Sequence, residues 1–568
     1  MTQMGRKQDE QGQPRDRRAL VFITVSLLLI GVIFINPGWI KPDSVGTYAY
    51  LRSMVIDRDL SFLNEWSGFE LIRDDFTLFK ETLEDGRVAN HWWVGTSILS
   101  APMFLAAHVS QHTTGGAIDG VSGAYTILLA WSSVAFTIGS LFFVWLLIQN
   151  RGVPRSSSEH DWSRFTESAV PIAAILVGTP LFFYTFRMSL GTHAAGTFLV
   201  GALTWLLLSE RESRWEFLTG LVFGLTVATR LQHFTLAGGV AIHAWQARWS
   251  LRSWLLFIAG AAVGWSPQAA AWLVIYDTPL GPLARGSNLT GTTWSPFRDN
   301  AMLDVLFSGW HGLLIWSPVV FLAIAGWVFH LTKRPQSRVL LMMFVGQWLA
   351  NGLLDRYFWG GLSFGPRRFV DLAVPFAIGI AWFVEWAAEK RRRGHAHAAI
   401  AITSGWSFAL LLLTLGNRLE LSRSTTTGDL LRSMTSLSSA VRDFTPAITR
   451  GPGAHFFAIV CTTILVLVFH RLVAGRKRLL AIGLTVALLV IDLAFLAVRK
   501  QTIEHAGLDS KRFGIDPRRS AVGPLIDQRA LLRDLAEHLE RSGDSEAEKK
   551  IRAEIVSVER EIGLLLQP

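Results

Sequence analysis

The sequence predicts an all-α polytopic integral membrane protein with about 13 transmembrane helices. Three observations carry that reading. Half of the 568 residues are hydrophobic and only 17% are charged, where a soluble chain usually carries about a quarter. The apolar residues fall in long blocks instead of amphipathic periods. The 23 tryptophans and 36 phenylalanines suit many membrane–water interfaces. The same numbers exclude a disordered chain, a disulfide scaffold and an ordinary cytosolic enzyme. The single cysteine, Cys461, lies in an apolar run and permits no intrachain disulfide or thiolate metal cluster. A formal net charge of +10 raises the question of sidedness before that of nucleic acid, and no nucleic-acid partner is expected.

Crossing roughly 30 Å of hydrocarbon takes about 20 apolar residues as helix. The first block runs from Ala19 to about Ile40, after a polar cytoplasmic segment (1–18) holding Arg6, Lys7, Arg15, Arg17 and Arg18. No small-residue cleavage pattern follows it, so a retained helix is expected and not a signal peptide. Further spans are expected near 123–149, 168–186, 194–209, 216–230, 232–247, 254–276, 309–331, 338–354, 369–388, 397–416, 454–473 and 479–498. Together, 19–498 form the transmembrane domain. The stretch 94–109 is short and contains Pro102, which predicts a re-entrant segment.

Charge parity supports that choice. With 94–109 not crossing, the clusters Arg151/Arg155/Arg164, Arg211/Arg214, Arg248/Arg252, Lys333/Arg334/Arg338, Lys390 to Arg393 and Arg476 to Arg478 all fall inside. With it crossing, all of them move outside, against the positive-inside rule. The outer face then holds the first loop (41–93) and segments at Phe186 to His193, Asp277 to Ser308, Asp355 to Arg368 and Asn417 to Ala454. The first loop is net acidic, with ten acids against six bases. The C-terminal tail (499–568) also falls outside. It carries 13 basic and 13 acidic residues, and its apolar spacing over 525–566 predicts a helical hairpin broken at 542–544, a packing or assembly element.

Four outer constellations bear ionisable groups. After the first span comes Lys41-Pro-Asp-Ser-Val-Gly-Thr-Tyr-Ala-Tyr-Leu-Arg52, where Tyr48, Leu51 and Arg52 at helical spacing predict a juxtamembrane helix from near Ser44. Asp43 at its N-terminus reads equally as a cap or as a catalytic carboxylate. Asp355-Arg-Tyr-Phe-Trp-Gly-Gly-Leu-Ser-Phe-Gly-Pro-Arg-Arg368 places Arg356, Arg367 and Arg368 where positive-inside bias depletes arginine. Guanidinium forks suit phosphate oxygens; snorkelling to lipid headgroups is the alternative. Arg187 and His193 share a short turn, and Thr229-Arg-Leu-Gln-His233 joins two half-length spans. Ionisable groups so near hydrocarbon call for partners, and His193 and His233 read as packing residues sooner than metal ligands. Among ionisable residues near mid-membrane, Asp492 is the clear candidate. No P-loop, His-Glu-x-x-His, Gly-x-Ser-x-Gly or Cys-x-x-Cys motif is present. With no cytosolic nucleotide site, an outer-face enzyme needs a substrate energised before it arrives, such as a lipid-linked phosphate ester.

These residues, in this order, resemble the GT-C superfamily of polytopic glycosyltransferases, within the bacterial protein O-mannosyltransferase and aminoarabinose transferase group. The resemblance rests on Pro42 to Arg52, Asp57-Arg-Asp-Leu-Ser-Phe-Leu-Asn-Glu65, Gly86-Arg-Val-Ala-Asn90, Ser189-Leu-Gly-Thr-His193, Leu225-Thr-Val-Ala-Thr-Arg230, His311-Gly-Leu-Leu-Ile-Trp-Ser-Pro318 and Trp359 to Arg368. It covers roughly Ala19 to Glu389, more weakly to Val498, and not the tail. The O-mannosyltransferases carry an Asp-Glu pair in the first loop, whereas Asp43 here is followed by Ser44. The resemblance implies sugar transfer from a polyprenyl-phosphate donor to a lipid, polysaccharide or protein acceptor at the outer face of the cell membrane. It implies Asp43 as base, with Tyr48, Arg52, Arg187, His193, Arg230, Arg356, Arg367 and Arg368 as substrate-binding residues. It leaves room for a divalent metal, but no ligand set assembles and none is assigned. The competing reading is a transporter or flippase for a lipid-linked anion, and a third is an inactive scaffold.

Overall fold

The computed structural model describes residues 18–36, 42–68, 83, 88–149, 161–209, 215–285, 300–353, 358, 360, 361, 363–419, 421, 425–443, 452–475, 484–492, 549, 550, 552, 553 and 555–560. The described residues are helical, with no strand among them. In chain order the helices are α1 (Arg18–Phe34), α2 (Pro42–Arg52), α3 (Leu63–Gly68), α4 (Gly95–Thr114), α5 (Gly123–Gln149), α6 (Asp161–Gly178), α7 (Leu181–Phe186), α8 (His193–Leu208), α9 (Glu216–Thr229), α10 (Ala237–Gln246), α11 (Leu251–Tyr276), α12 (Asp304–Phe307), α13 (Leu313–Trp316), α14 (Val319–Phe329), α15 (Pro335–Leu353), α16 (Ala373–Glu389), α17 (Arg393–Leu415), α18 (Thr427–Ser433), α19 (Leu437–Asp443) and α20 (Pro452–Gly475). A π-turn, Ser53–Asp57, extends α2, and 3-10 turns Leu231–Leu236 and Arg367–Leu372 lead into α10 and α16.

Four helices are long and apolar enough to cross a membrane: Gly123–Gln149, Leu251–Tyr276, Arg367–Glu389 and Arg393–Leu415. Shorter apolar helices include Arg18–Phe34, His193–Leu208, Glu216–Thr229 and Val319–Phe329. Two expected spans are broken. The stretch 168–186 divides into α6 and α7 at Thr179-Pro180, and 309–331 divides into α13 and α14 at Ser317-Pro318. Proline supplies no amide hydrogen and crowds the preceding turn, so each helix restarts after it. The stretch expected to be re-entrant falls on α4, a 20-residue helix that contains Pro102. The N-terminal segment, Arg356 and the expected tail hairpin, apart from short helical pieces within 549–560, lie outside the described residues.

The described residues form two compact units. The first comprises those of Met1–Lys41, Ile98–Ser266 and Asn288–Leu489; the second, those of Pro42–Ser97, Pro267–Ser287 and Val490–Pro568. In the first unit, α5 packs on α8 and α20, α14 on α16, and α10 on α15. Phe143, Phe198, Trp205 and Phe469 fill the seam between α5, α8 and α20. Glycines set how closely helices approach. A Cβ at Gly220 would lie 1.9 Å from the Phe257 carbonyl oxygen, and one at Gly260 2.0 Å from that of Phe217. Gly224 and Gly264 repeat the contact one turn on, so α9 and α11 touch backbone to backbone, as small residues allow in apolar surroundings. Gly220→Val must therefore push the pair apart. It should cost at least the 1–3 kcal/mol of ordinary overpacking, read as a lost monodisperse peak in size-exclusion chromatography; a wild-type elution profile would refute the backbone contact.

Outward faces are apolar as well. In α1 only Ala19, Ile23, Leu27 and Gly31 are buried, a single i, i+4 stripe. Val21, Phe22, Val25, Leu29, Val32 and Ile33 are all exposed, Phe22 at 60%. Leu251, Leu255, Ile258, Ile402 and Phe456 stand exposed on other helices. Exposed apolar side chains in these numbers are unusual for a water-soluble monomer.

Candidate functional site

Each unit holds a polar cluster that includes residues singled out by sequence. In the second unit, α2 starts at Pro42 with Asp43 in its first turn. Thr47 Oγ1 donates to the Asp43 carbonyl at 3.1 Å. The segment 88–94 lies across this helix because Gly46 leaves room: a Cβ there would come within 2.1 Å of the Trp92 ring. Asn90 fixes the crossing, with Nδ2 donating to the Gly46 carbonyl at 2.7 Å and Oδ1 accepting from the Trp92 amide at 2.9 Å. Tyr50 Oη bonds the Asn90 and Trp92 carbonyls at 3.0 Å each, and burial raises its phenol above the ordinary range. His91 stacks on Trp92 with ring centroids 3.8 Å apart. Burial pushes its imidazole down to about 4, while the negative charge of Asp43 pulls the other way. An imidazole thus shares the electrostatic neighbourhood of the carboxylate singled out by sequence.

The burial of His91 has a thermodynamic consequence. In the unfolded chain His91 takes a proton near pH 6.5, whereas the folded chain resists it until about 4. The unfolded state therefore binds more protons between those values. The His91 contribution is fully present above pH 6.5 and lost as pH falls toward 4, by up to about 3 kcal/mol. Detergent-solubilised protein should unfold at lower temperature across that window, and His91→Gln should flatten the slope. An unchanged slope in the variant would assign the acid sensitivity elsewhere.

Two residues expected to bind substrate, Arg52 and Tyr48, also lie in this unit. Arg52 Nη1 bonds Glu65 Oε1 at 2.9 Å and also pairs with Asp57. Glu65 is buried, and its desolvation raises the carboxyl well above the usual carboxylate range, with Arg52 pulling it back. Arg52 thus ties the end of α2 to α3. Tyr48 is buried at 5% exposure inside α2.

The first unit gathers three residues, His193, Arg230 and His233, around Asp371 in the 3-10 turn ahead of α16. Arg230 Nη1 reaches Asp371 Oδ2 at 3.0 Å, His233 Nε2 reaches the same oxygen at 2.8 Å, and His193 Nδ1 lies 3.6 Å from Oδ1. Arg230 Nη1 also donates to His193 Nδ1 at 3.0 Å; a guanidinium has only donors, so that nitrogen is the acceptor. His233 Nδ1 lies 2.9 Å from the Thr226 carbonyl. Gly196 makes space, since a Cβ there would sit 3.0 Å from the Asp371 carboxyl carbon. The expectations for Arg230 and His193 included structural pairing, and both take part in it here. Asp371 itself was not singled out by sequence, although Asp492 was.

This cluster locks the turn that carries Arg367 and Arg368. Gln232 Nε2 and Gln347 Nε2 both donate to the Arg368 carbonyl, at 3.1 and 3.3 Å. On the other side, Tyr184 Oη accepts from the Phe364 amide at 3.2 Å, and Ser363 Oγ lies 3.2 Å from His311 Nδ1. Gly360, Gly361 and Gly365 all have positive φ, which lets the chain double back before Arg367. The turn is fixed from both ends, with two guanidinium side chains on it. Arg187 closes α7 and donates toward the Phe34 carbonyl at 3.5 Å; Arg356 lies outside the described residues.

Among the described residues, His330, Glu385 and Glu389 could offer ligand atoms within 4.8 Å of one another. Their carboxylates already pair with Lys333 and Arg334, which supply the charge a cation would bring. No protein-family model matches the chain, nor does any curated protein or solved structure.

Proposed function

We propose that this chain is a multi-pass membrane glycosyltransferase of GT-C type that moves a sugar from a polyprenyl-phosphate donor to an acceptor at the outer face of the cell membrane. The observation that carries the proposal is the pairing of motif with local structure at Asp43: a lone carboxylate in the first turn of a juxtamembrane helix, with an imidazole in its field. The remaining apolar segments complete about 13 crossings, a reading supported by the exposed apolar faces of α1 and the other short helices. The acceptor hydroxyl attacks the anomeric carbon as the lipid phosphate leaves, with inversion. The resemblance assigns Asp43 the role of taking the hydroxyl proton, and Arg367 and Arg368 that of stabilising the departing phosphate.

The transporter reading asks for ionisable groups near mid-membrane. Asp371 is the fifth residue of the span Arg367–Glu389, close to one end of it, which favours the transferase. Mass analysis of cell-envelope glycans with and without the protein tests the choice. Loss of one sugar substituent is expected; an unchanged glycan profile would return the transporter.

A further inference from the structure

Three helices of the first unit lead away from the Asp371 cluster to a second polar region. α8 starts at His193 and ends at Leu208, α9 starts at Glu216 and ends beside Arg230, and α15 starts at Pro335 and carries Gln347 toward its other end. At about 1.5 Å per residue, the two ends of α8 or α9 lie roughly 20 Å apart. In the orientation proposed above, the far end is cytoplasmic.

There a cavity of about 760 Å³ opens among Trp215, Glu216, His243, Arg248, Trp249 and Ser253, with Leu206, Leu207, Leu208 and Val339 as its apolar wall. Glu216 is buried, 7% exposed, and accepts from Ser253 Oγ at 2.9 Å. A carboxylate withdrawn from water calls for a cation. The Trp215 and Trp249 indoles line the same space, and aromatic faces attract ammonium groups. Arg248 is exposed, set at φ 52° just beyond the end of α10. The cavity therefore offers a negative, aromatic interior, a cationic rim and an apolar flank.

We propose that this cavity binds an ethanolamine-type phosphodiester headgroup of a membrane lipid, the ammonium against Glu216 and the indoles and the phosphate on Arg248. A primary ammonium can donate hydrogen bonds to the Glu216 carboxylate, which a quaternary choline cannot. The site lies apart from the Asp371 cluster and does not depend on the transferase reading.

The test is native mass spectrometry of the full-length, detergent-purified chain titrated with short-chain phosphatidylethanolamine, phosphatidylcholine and phosphatidylglycerol, and with glycerophosphoethanolamine as the chain-free headgroup. Phosphatidylethanolamine should bind about tenfold more tightly than the other two lipids, and Glu216→Gln should abolish that preference. Because Glu216 is buried, the exposed rim variant Arg248→Glu is run beside it; it should keep the wild-type melting temperature and lose binding by about tenfold. Chain-free headgroup binding as tightly as the lipid would assign the same chemistry to a soluble ester, and weaker binding assigns it to the leaflet. Equal affinity for phosphatidylglycerol, or wild-type binding by Arg248→Glu, overturns the proposal.

Discussion

Asp371→Ala should destabilise the first unit by about 3–5 kcal/mol, the usual cost of breaking a buried ion pair from one side. The Asp371 side chain is 2% exposed and that of Arg230 14%, so water can replace little of what the substitution removes. Arg230 would keep its charge, because a guanidinium does not deprotonate in proteins, and would face His193 and His233 without a counter-ion. The turn from Arg367 to Leu372 would lose its anchor at the α16 end. Unfolding of the purified protein by sodium dodecyl sulfate measures the loss. Removing both charges together, as Asp371→Leu with Arg230→Met, should cost less than the single change, because no unpaired charge remains in the interior. A single variant within about 1 kcal/mol of wild type would mean that the cluster is hydrated and does not hold the turn.

That prediction concerns a residue the sequence alone left unmarked, and the reason is physical. Helices are written locally, so the apolar blocks at 123–149, 254–276 and 397–416 coincide with observed helices to within a few residues. The juxtamembrane helix bearing Asp43 is also a local matter of capping and spacing, and it starts two residues before Ser44. The prolines at 180 and 318 were visible, but a long apolar window averages over a single residue, and the broken helices were read as continuous. The Asp371 cluster is non-local: its partners at 193, 230 and 233 stand more than 130 residues away, and an acid beside two arginines looks satisfied within its own segment. Arg52 is the local counterpart. Its partners Asp57 and Glu65 lie within 13 residues, so a charge-pairing reading of the first loop could have found these ion pairs. The glycines of α9 and α11 were visible at i, i+4 spacing, but nothing in either helix names the other as its neighbour.

Asp43→Asn should lower transfer from a polyprenyl-phosphate sugar by about 10²–10⁴-fold while leaving the fold intact. The substitution keeps shape and a hydrogen-bonding oxygen and removes only proton affinity. The helix itself should tolerate it, since losing a first-turn negative charge costs only about 0.3–1 kcal/mol, and the α2 contacts through Gly46, Thr47 and Tyr50 do not use the Asp43 side chain. A base acts on the reacting hydroxyl, so the loss should appear in kcat, with the KM for the donor little changed. Arg368→Ala should show a different pattern. Its backbone carbonyl would still be held by Gln232 and Gln347, so the turn survives while a phosphate contact is lost, and donor KM should rise as well. His91→Gln separates the two roles of that ring: if the imidazole tunes Asp43, the pH profile of transfer shifts, whereas a purely structural ring changes stability alone. Wild-type transfer by Asp43→Asn in proteoliposomes would remove Asp43 from the chemistry and leave it as a first-turn acid of α2.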